Sequence, residues 1–132
     1  MGFLDVIIAA VVTFAFGALW YMLLSRQWVR AADIKTGPDG KPSNSANPLP
    51  YIVSFAMILL VAGMMRHVFA LSAIDTVLEG LTAGFGIGAF MISPWLILNI
   101  GYEGKPWRLG LINAGYASFG CALMGGSLIL FA

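Results

Sequence analysis

Arg66 and His67 stand side by side inside an otherwise apolar stretch, residues 51–74. An arginine at the centre of a bilayer costs about 2.5–3.5 kcal/mol on insertion scales, and less where it can reach a helix end. At a rise of about 1.5 Å per residue, Arg66 falls roughly 22 Å along a helix that begins at Tyr51, near its far boundary. Asp5, Asp75 and Glu79 are expected at the same depth, and the i, i+4 spacing of Asp75 and Glu79 gives them one helix face. These five residues form a candidate polar cluster. It reads as an ion-pair network tying helix ends together, as an entry site for a proton or ion, or as an arginine that snorkels without a partner. His67 alone cannot hold a metal, because two or three more ligands would have to come from carboxylates or another subunit. No metal site is expected.

A second set surrounds Ser93-Pro94-Trp95. Proline removes a backbone donor and clashes with the preceding turn, so a kink is expected there. Carbonyls freed at membrane depth must be satisfied by side chains or water. Asn99, Asn113 and Tyr116 are placed to help, with Trp20 and Tyr21 at a similar height. Trp20, Tyr21, Ser93, Pro94, Trp95, Asn99, Asn113 and Tyr116 thus make a candidate lipid or ligand groove. Broken helices with polar company build transporter sites, and they also simply accommodate a proline.

Catalysis finds little support. The chain has one His and one Cys, and Cys121 lies in an apolar run, where it reads as a small buried residue rather than a disulfide, CxxC or zinc ligand. No serine stands in an elbow-like motif. The GFGIG at residues 84–88 lies inside an apolar run rather than after a strand, so its glycines serve packing instead of a phosphate. A non-catalytic protein without a cofactor is expected.

The elements that must position these residues are apolar and long. Residues 6–24, 80–102 and 109–132 carry no charged side chain, and residues 51–74 carry only Arg66 and His67. About 20 apolar residues span a hydrocarbon core of about 30 Å. Across 132 residues, 60% are hydrophobic and 10% charged, with mean hydropathy +0.90, whereas a soluble domain carries about 25% charged residues. The expected fold is all-α: one integral membrane domain, an up-down-up-down four-helix bundle with helices at about 3–25, 51–73, 77–101 and 108–131. The first is expected to stay, since Asp5 stands where a leader has basic residues and the apolar run exceeds a leader's core; Val6 argues against a myristoylation signal. It is expected to continue as an interfacial turn through Arg26, Trp28 and Arg30. A Pro-rich loop, about residues 31–50, follows, with four Pro and two Gly in residues 36–50, and reads as mobile.

Arg26, Arg30, Lys35 and Lys41 lie in the first loop, and Lys105 and Arg108 in the third. The positive-inside rule puts both loops in the cytoplasm and both termini outside. Trp20, Tyr21, Trp28, Tyr51, Trp95, Tyr102 and Trp107 gather at that inner boundary as an aromatic belt or a headgroup groove. The net charge of +1 gives no footprint for nucleic acid.

Gly80, Gly84 and Gly88 share one helical face, as do Ala114, Ser118, Ala122 and Gly126. With Gly17, these small residues are expected to let backbones approach closely, within one chain or against a second copy.

GALWY at residues 17–21, with Trp28 after a basic turn, resembles the first-helix signature of a group of small bacterial membrane proteins, domain of unknown function family 1761. YEGKPWRLGLINAGY at residues 102–116, after a glycine-rich helix, is similar to that family's second half. The resemblance implies a four-helix bacterial inner-membrane protein and no particular activity. The expected role is a non-catalytic membrane protein that acts by helix packing, as a homo-oligomer or an accessory subunit among other membrane subunits and lipids. A small transporter or channel, or a lipid- or quinone-binding protein, is the alternative.

Overall fold

The computed structural model describes residues 3–132, and among these there are helices and turns but no strand. Five helices follow one another: α1 (Leu4–Leu23), α2 (Ser25–Ala32), α3 (Leu49–Leu71), α4 (Val77–Glu103) and α5 (Trp107–Leu130). Within α4, α-helix over Val77–Ile87 gives way to a π-helical turn at Gly88–Ile92 and resumes over Ser93–Glu103.

Each boundary has a local cause. The chain breaks at Leu24 (φ −105°, ψ 20°) and restarts as α2, a true eight-residue helix where the sequence suggested only a turn. Asp33 ends α2 in the left-handed region. Residues 33–48 turn back on themselves, with Gly37 N–H donating to Lys41 O (2.9 Å), Ser43 N–H to Lys35 O (2.8 Å), and a β-bridge between Thr36 and Pro42. Pro48 and Pro50 then open α3, where the missing N–H leaves no helical bond unmade. α4 begins with a capping box: Thr76 Oγ1 accepts from Glu79 N–H (3.2 Å) and Glu79 Oε1 accepts from Thr76 N–H (3.1 Å). It ends at Gly104 (φ 66°), with Lys105 N–H reaching back to Ile100 O (3.1 Å). Extended Pro106 starts α5.

Of these helices, α1, α3 and α4 are long and apolar enough to cross a membrane. α5, with 24 residues, is not among them, against the expectation of four such spans. Its glycines, Asn113 and its serines lower its apolarity, and they do so because α5 is the packed centre. Met124 and Leu128 are fully buried, alongside Ser118, Gly120, Cys121 and Ser127. Val6 and Ala9 of α1 and Ala62, Met65 and Phe69 of α3 close the core around them. The large apolar residues face outward instead; Ile52, Leu60 and Met64 of α3 are all more than 60% exposed.

The glycines of α4 lie against the backbone of α5. Gly80 meets Gly125, Gly84 meets Cys121 and Gly88 meets Ala117, each so closely that a Cβ would collide with the facing carbonyl oxygen. The two helices therefore run antiparallel, and the stripe expected from sequence on α4 is used within the chain. On α5 the seam runs between the expected row of Ala114, Ser118, Ala122 and Gly126 and its neighbours Ala117, Cys121 and Gly125; Gly126 packs on the Leu81 side chain. α1 runs antiparallel to α3, through Asp5–Arg66 and Phe14–Phe55.

Candidate functional site

Gly17, Trp20 and Tyr21 share one face of α1 by their i, i+3, i+4 spacing, and that face clasps α5. The Tyr116 ring lies over Gly17, where a Cβ would stand 2.7 Å from the phenol, and its hydroxyl donates to Thr13 O (3.2 Å). The Trp20 indole lies over Gly115 in return, and its Nε1–H donates to Ile112 O (3.0 Å). Tyr21 donates to Asn113 Oδ1 (2.7 Å). Each helix thus offers a glycine to the other's aromatic ring. Phe16, Phe119 and Trp28 extend the cluster, with ring centroids 5.5–6.2 Å apart, a spacing at which aromatic pairs attract beyond area burial.

The rest of the expected groove is not here. Pro94, Trp95 and Asn99 are exposed on the outer side of α4. Asn113 and Tyr116 serve α1 rather than the carbonyls near Pro94. Ser93, by contrast, is buried and faces Gly88 and α5. Its N–H and its hydroxyl both donate to Gly88 O, the hydroxyl at 2.6 Å, and its Oγ lies 3.2 Å from Ala114 O and 3.3 Å from Ser118 Oγ. The physical reason is the π-helical turn. One extra residue between Gly88 and Ser93 rotates the second half of α4, so the stripe facing α5 continues from Gly88 to Ser93 and on to Ile97 and Ile100, which flank Gly110. Pro94 then opens the resumed α-helix, where its absent N–H is tolerated. Five-residue spacing from Gly88 to a Ser-Pro pair was the available signal, and i, i+4 reasoning passed over it.

At the opposite end, the expected five-residue cluster resolves into a pair and a cap. Arg66 Nε donates to Asp5 Oδ2 at 2.9 Å; Asp5 is 6% exposed, and the guanidinium lies 5.6 Å from the centroid of the Phe3 ring. Glu79 is spent on the capping box of α4, and Asp75, whose N–H is 3.4 Å from Glu79 Oε1, stays with it. Both carboxylates and His67 are exposed. The pair borders a cleft of ≈ 410 Å³ lined mostly by apolar groups such as Phe69, Ile74 and Leu128. Among the described residues, no group of His, Cys, Asp or Glu gathers in a way that could hold a metal, and Cys121 is buried as a free thiol.

GALWY and INAGY, far apart in sequence, are therefore the two halves of one clasp. The family described as protein of unknown function (DUF1761) matches residues 4–129, which includes both halves. The chain belongs to this family. No curated protein and no solved structure matches it. Within the family match lie the clasp, the glycine seam between α4 and α5 and the Asp5–Arg66 pair.

Proposed function

We propose that this member of the family is a multi-pass protein of the bacterial inner membrane that acts without catalysis, by helix packing. In this reading α1, α3, α4 and α5 cross the bilayer up-down-up-down, the basic loops face the cytoplasm, and both termini lie outside. The protein serves as a self-associating bundle or as an accessory subunit of a larger membrane assembly.

One observation carries this reading: a set of polar side chains within the helices bonds to neighbouring helices. Trp20, Tyr21 and Tyr116 join α1 to α5, Ser93 joins α4 to α5, and Asp5 joins α1 to α3. Those bonds spend interior polarity on holding helices together. The outward face of α3 supplies broad apolar surface for lipid or a partner.

A transporter remains the second reading, favoured by the nearly buried Asp5 at the wall of the outer cleft. Its coupling pair would be Asp5 and Arg66 rather than Glu79.

Native mass spectrometry of protein extracted mildly from its own membrane tests the proposal. Emergence with other subunits, or as a closed oligomer, supports it. A strict monomer that passes substrate across liposomes, and stops doing so in the Asp5→Asn variant, overturns it in favour of transport.

A further inference from the structure

α2 places two arginines where α1 leaves its apolar span. Its inner face, Trp28, Ala31 and Ala32, packs against Ile100 of α4 and Leu109 of α5, so α2 is fastened across the end of the bundle. Arg26 and Arg30, four residues apart, share the other face and are exposed. Both border one open depression of ≈ 490 Å³, closed on its far side by the turn that carries Thr36 and Gly40, with Ser25 also at its wall. Asp33 is the carboxylate in that wall. Among the described residues the ion pair within 4 Å is Asp5–Arg66, so Asp33 makes no direct ion pair with either arginine. Two arginines thus line one depression together with the hydroxyl-bearing Ser25 and Thr36, and neither is within 4 Å of a carboxylate. Met22 and Leu23, immediately before α2, are about 70% exposed and apolar. The pocket therefore sits at the level where hydrocarbon gives way to headgroups.

We propose that this pocket binds the phosphate headgroup of an acidic phospholipid of the inner leaflet. Arginine suits that ligand, since its planar fork makes parallel charge-assisted bonds to phosphate oxygens. A lipid fits better than a soluble anion because its acyl chains would leave the pocket alongside the exposed apolar end of α1. α2 then holds a lipid at a fixed place on the bundle instead of only attracting the anionic surface.

The inference rests on the membrane reading above, and the test separates the two. Full-length protein is placed in nanodiscs of phosphatidylcholine with phosphatidylglycerol, and retained lipid is counted by native mass spectrometry. Wild-type protein should retain phosphatidylglycerol in preference to phosphatidylcholine, and Arg26→Gln/Arg30→Gln should lose that preference by roughly tenfold or more. Lys35→Gln/Lys41→Gln, which removes two exposed loop charges outside the pocket, should retain it within about twofold. Equal loss in both double variants would overturn the pocket in favour of diffuse attraction. Unchanged retention in the arginine variant would overturn it as well. Displacement of the lipid by added inorganic phosphate would reassign the pocket to a soluble anion. Extraction of the wild-type protein from membranes by alkaline carbonate would remove the membrane reading itself, and this proposal with it.

Discussion

Asp5 has surrendered nearly all of its hydration, and Arg66 Nε is the partner that makes this tolerable. Removing one member of a buried pair strands the other charge, at a cost of about 3–5 kcal/mol, while replacing both by apolar residues of similar volume is often near neutral. Arg66 is a quarter exposed, so Arg66→Met should destabilise by somewhat less, about 2–3 kcal/mol, in reversible unfolding in detergent. Asp5→Leu/Arg66→Met should recover most of that loss. Equal damage in the single and double variants would mean that the pair itself supplies the stability. Ser93→Ala tests the inner polar site. Gly88 O keeps its bond from the Ser93 N–H, so the loss should be modest, about 1 kcal/mol by the same measurement.

The elements differ in how much of them the sequence displays. Long apolar runs mark α1, α3 and α4 directly, α3's interrupted only by Arg66 and His67, because an apolar helix that meets lipid has to be apolar around most of its circumference. The close approach of α4 to α5 was legible in Gly80, Gly84 and Gly88, and half of the inner site was legible in GALWY and INAGY. Two things were not. Spacing places residues on a helix face only while the helix stays regular, so the π-helical turn sent Trp95 and Asn99 to the wrong side. Pairing between helices depends on register, so nothing in the sequence assigned Tyr116 to Gly17. The capping box is local, and the Thr76-x-x-Glu79 spacing ahead of an apolar run is its signal in the sequence. The glycine contacts rank a pair of variants. At Gly17 the obstacle is the tip of a tyrosine, whereas at Gly84 it is the backbone of α5. Gly84→Ala should therefore cost the upper part of the 1–3 kcal/mol usual for overpacking, and Gly17→Ala less. Reversal of that order in thermal unfolding would contradict the seam. Between α3 and α4, Ala73 holds φ 56° with Ile74 N–H bonded to Phe69 O at 3.0 Å. A glycine relieves the left-handed penalty there, so Ala73→Gly should stabilise by about 1 kcal/mol, and a fall in stability would refute the strain.

Across the whole molecule, polar chemistry is divided by depth. One end carries the Asp5–Arg66 pair, and the other carries the clasp, the basic helix α2 and the lysines of the first loop. That polarity predicts the orientation. Cysteines introduced at Lys41 and at Ser72 should be modified by a membrane-impermeant maleimide from opposite sides, with Lys41 reacting only from the cytoplasm. Labelling of both from one side would break the proposed topology. The same division explains the position of α5, which is the least apolar of the long helices because most of its length packs against protein. For the proposed membrane bundle, the consequence lies in biogenesis. A helix wrapped by its neighbours gains its environment only when they are present, so α5 should not leave the insertion machinery for lipid alone. The three-residue turn Gly104–Lys105–Pro106 and the glycine seam make α4 and α5 a hairpin that can enter as one body. Widening the seam at Gly84 would then strand α5 outside the membrane during synthesis, before any mature fold exists to be destabilised.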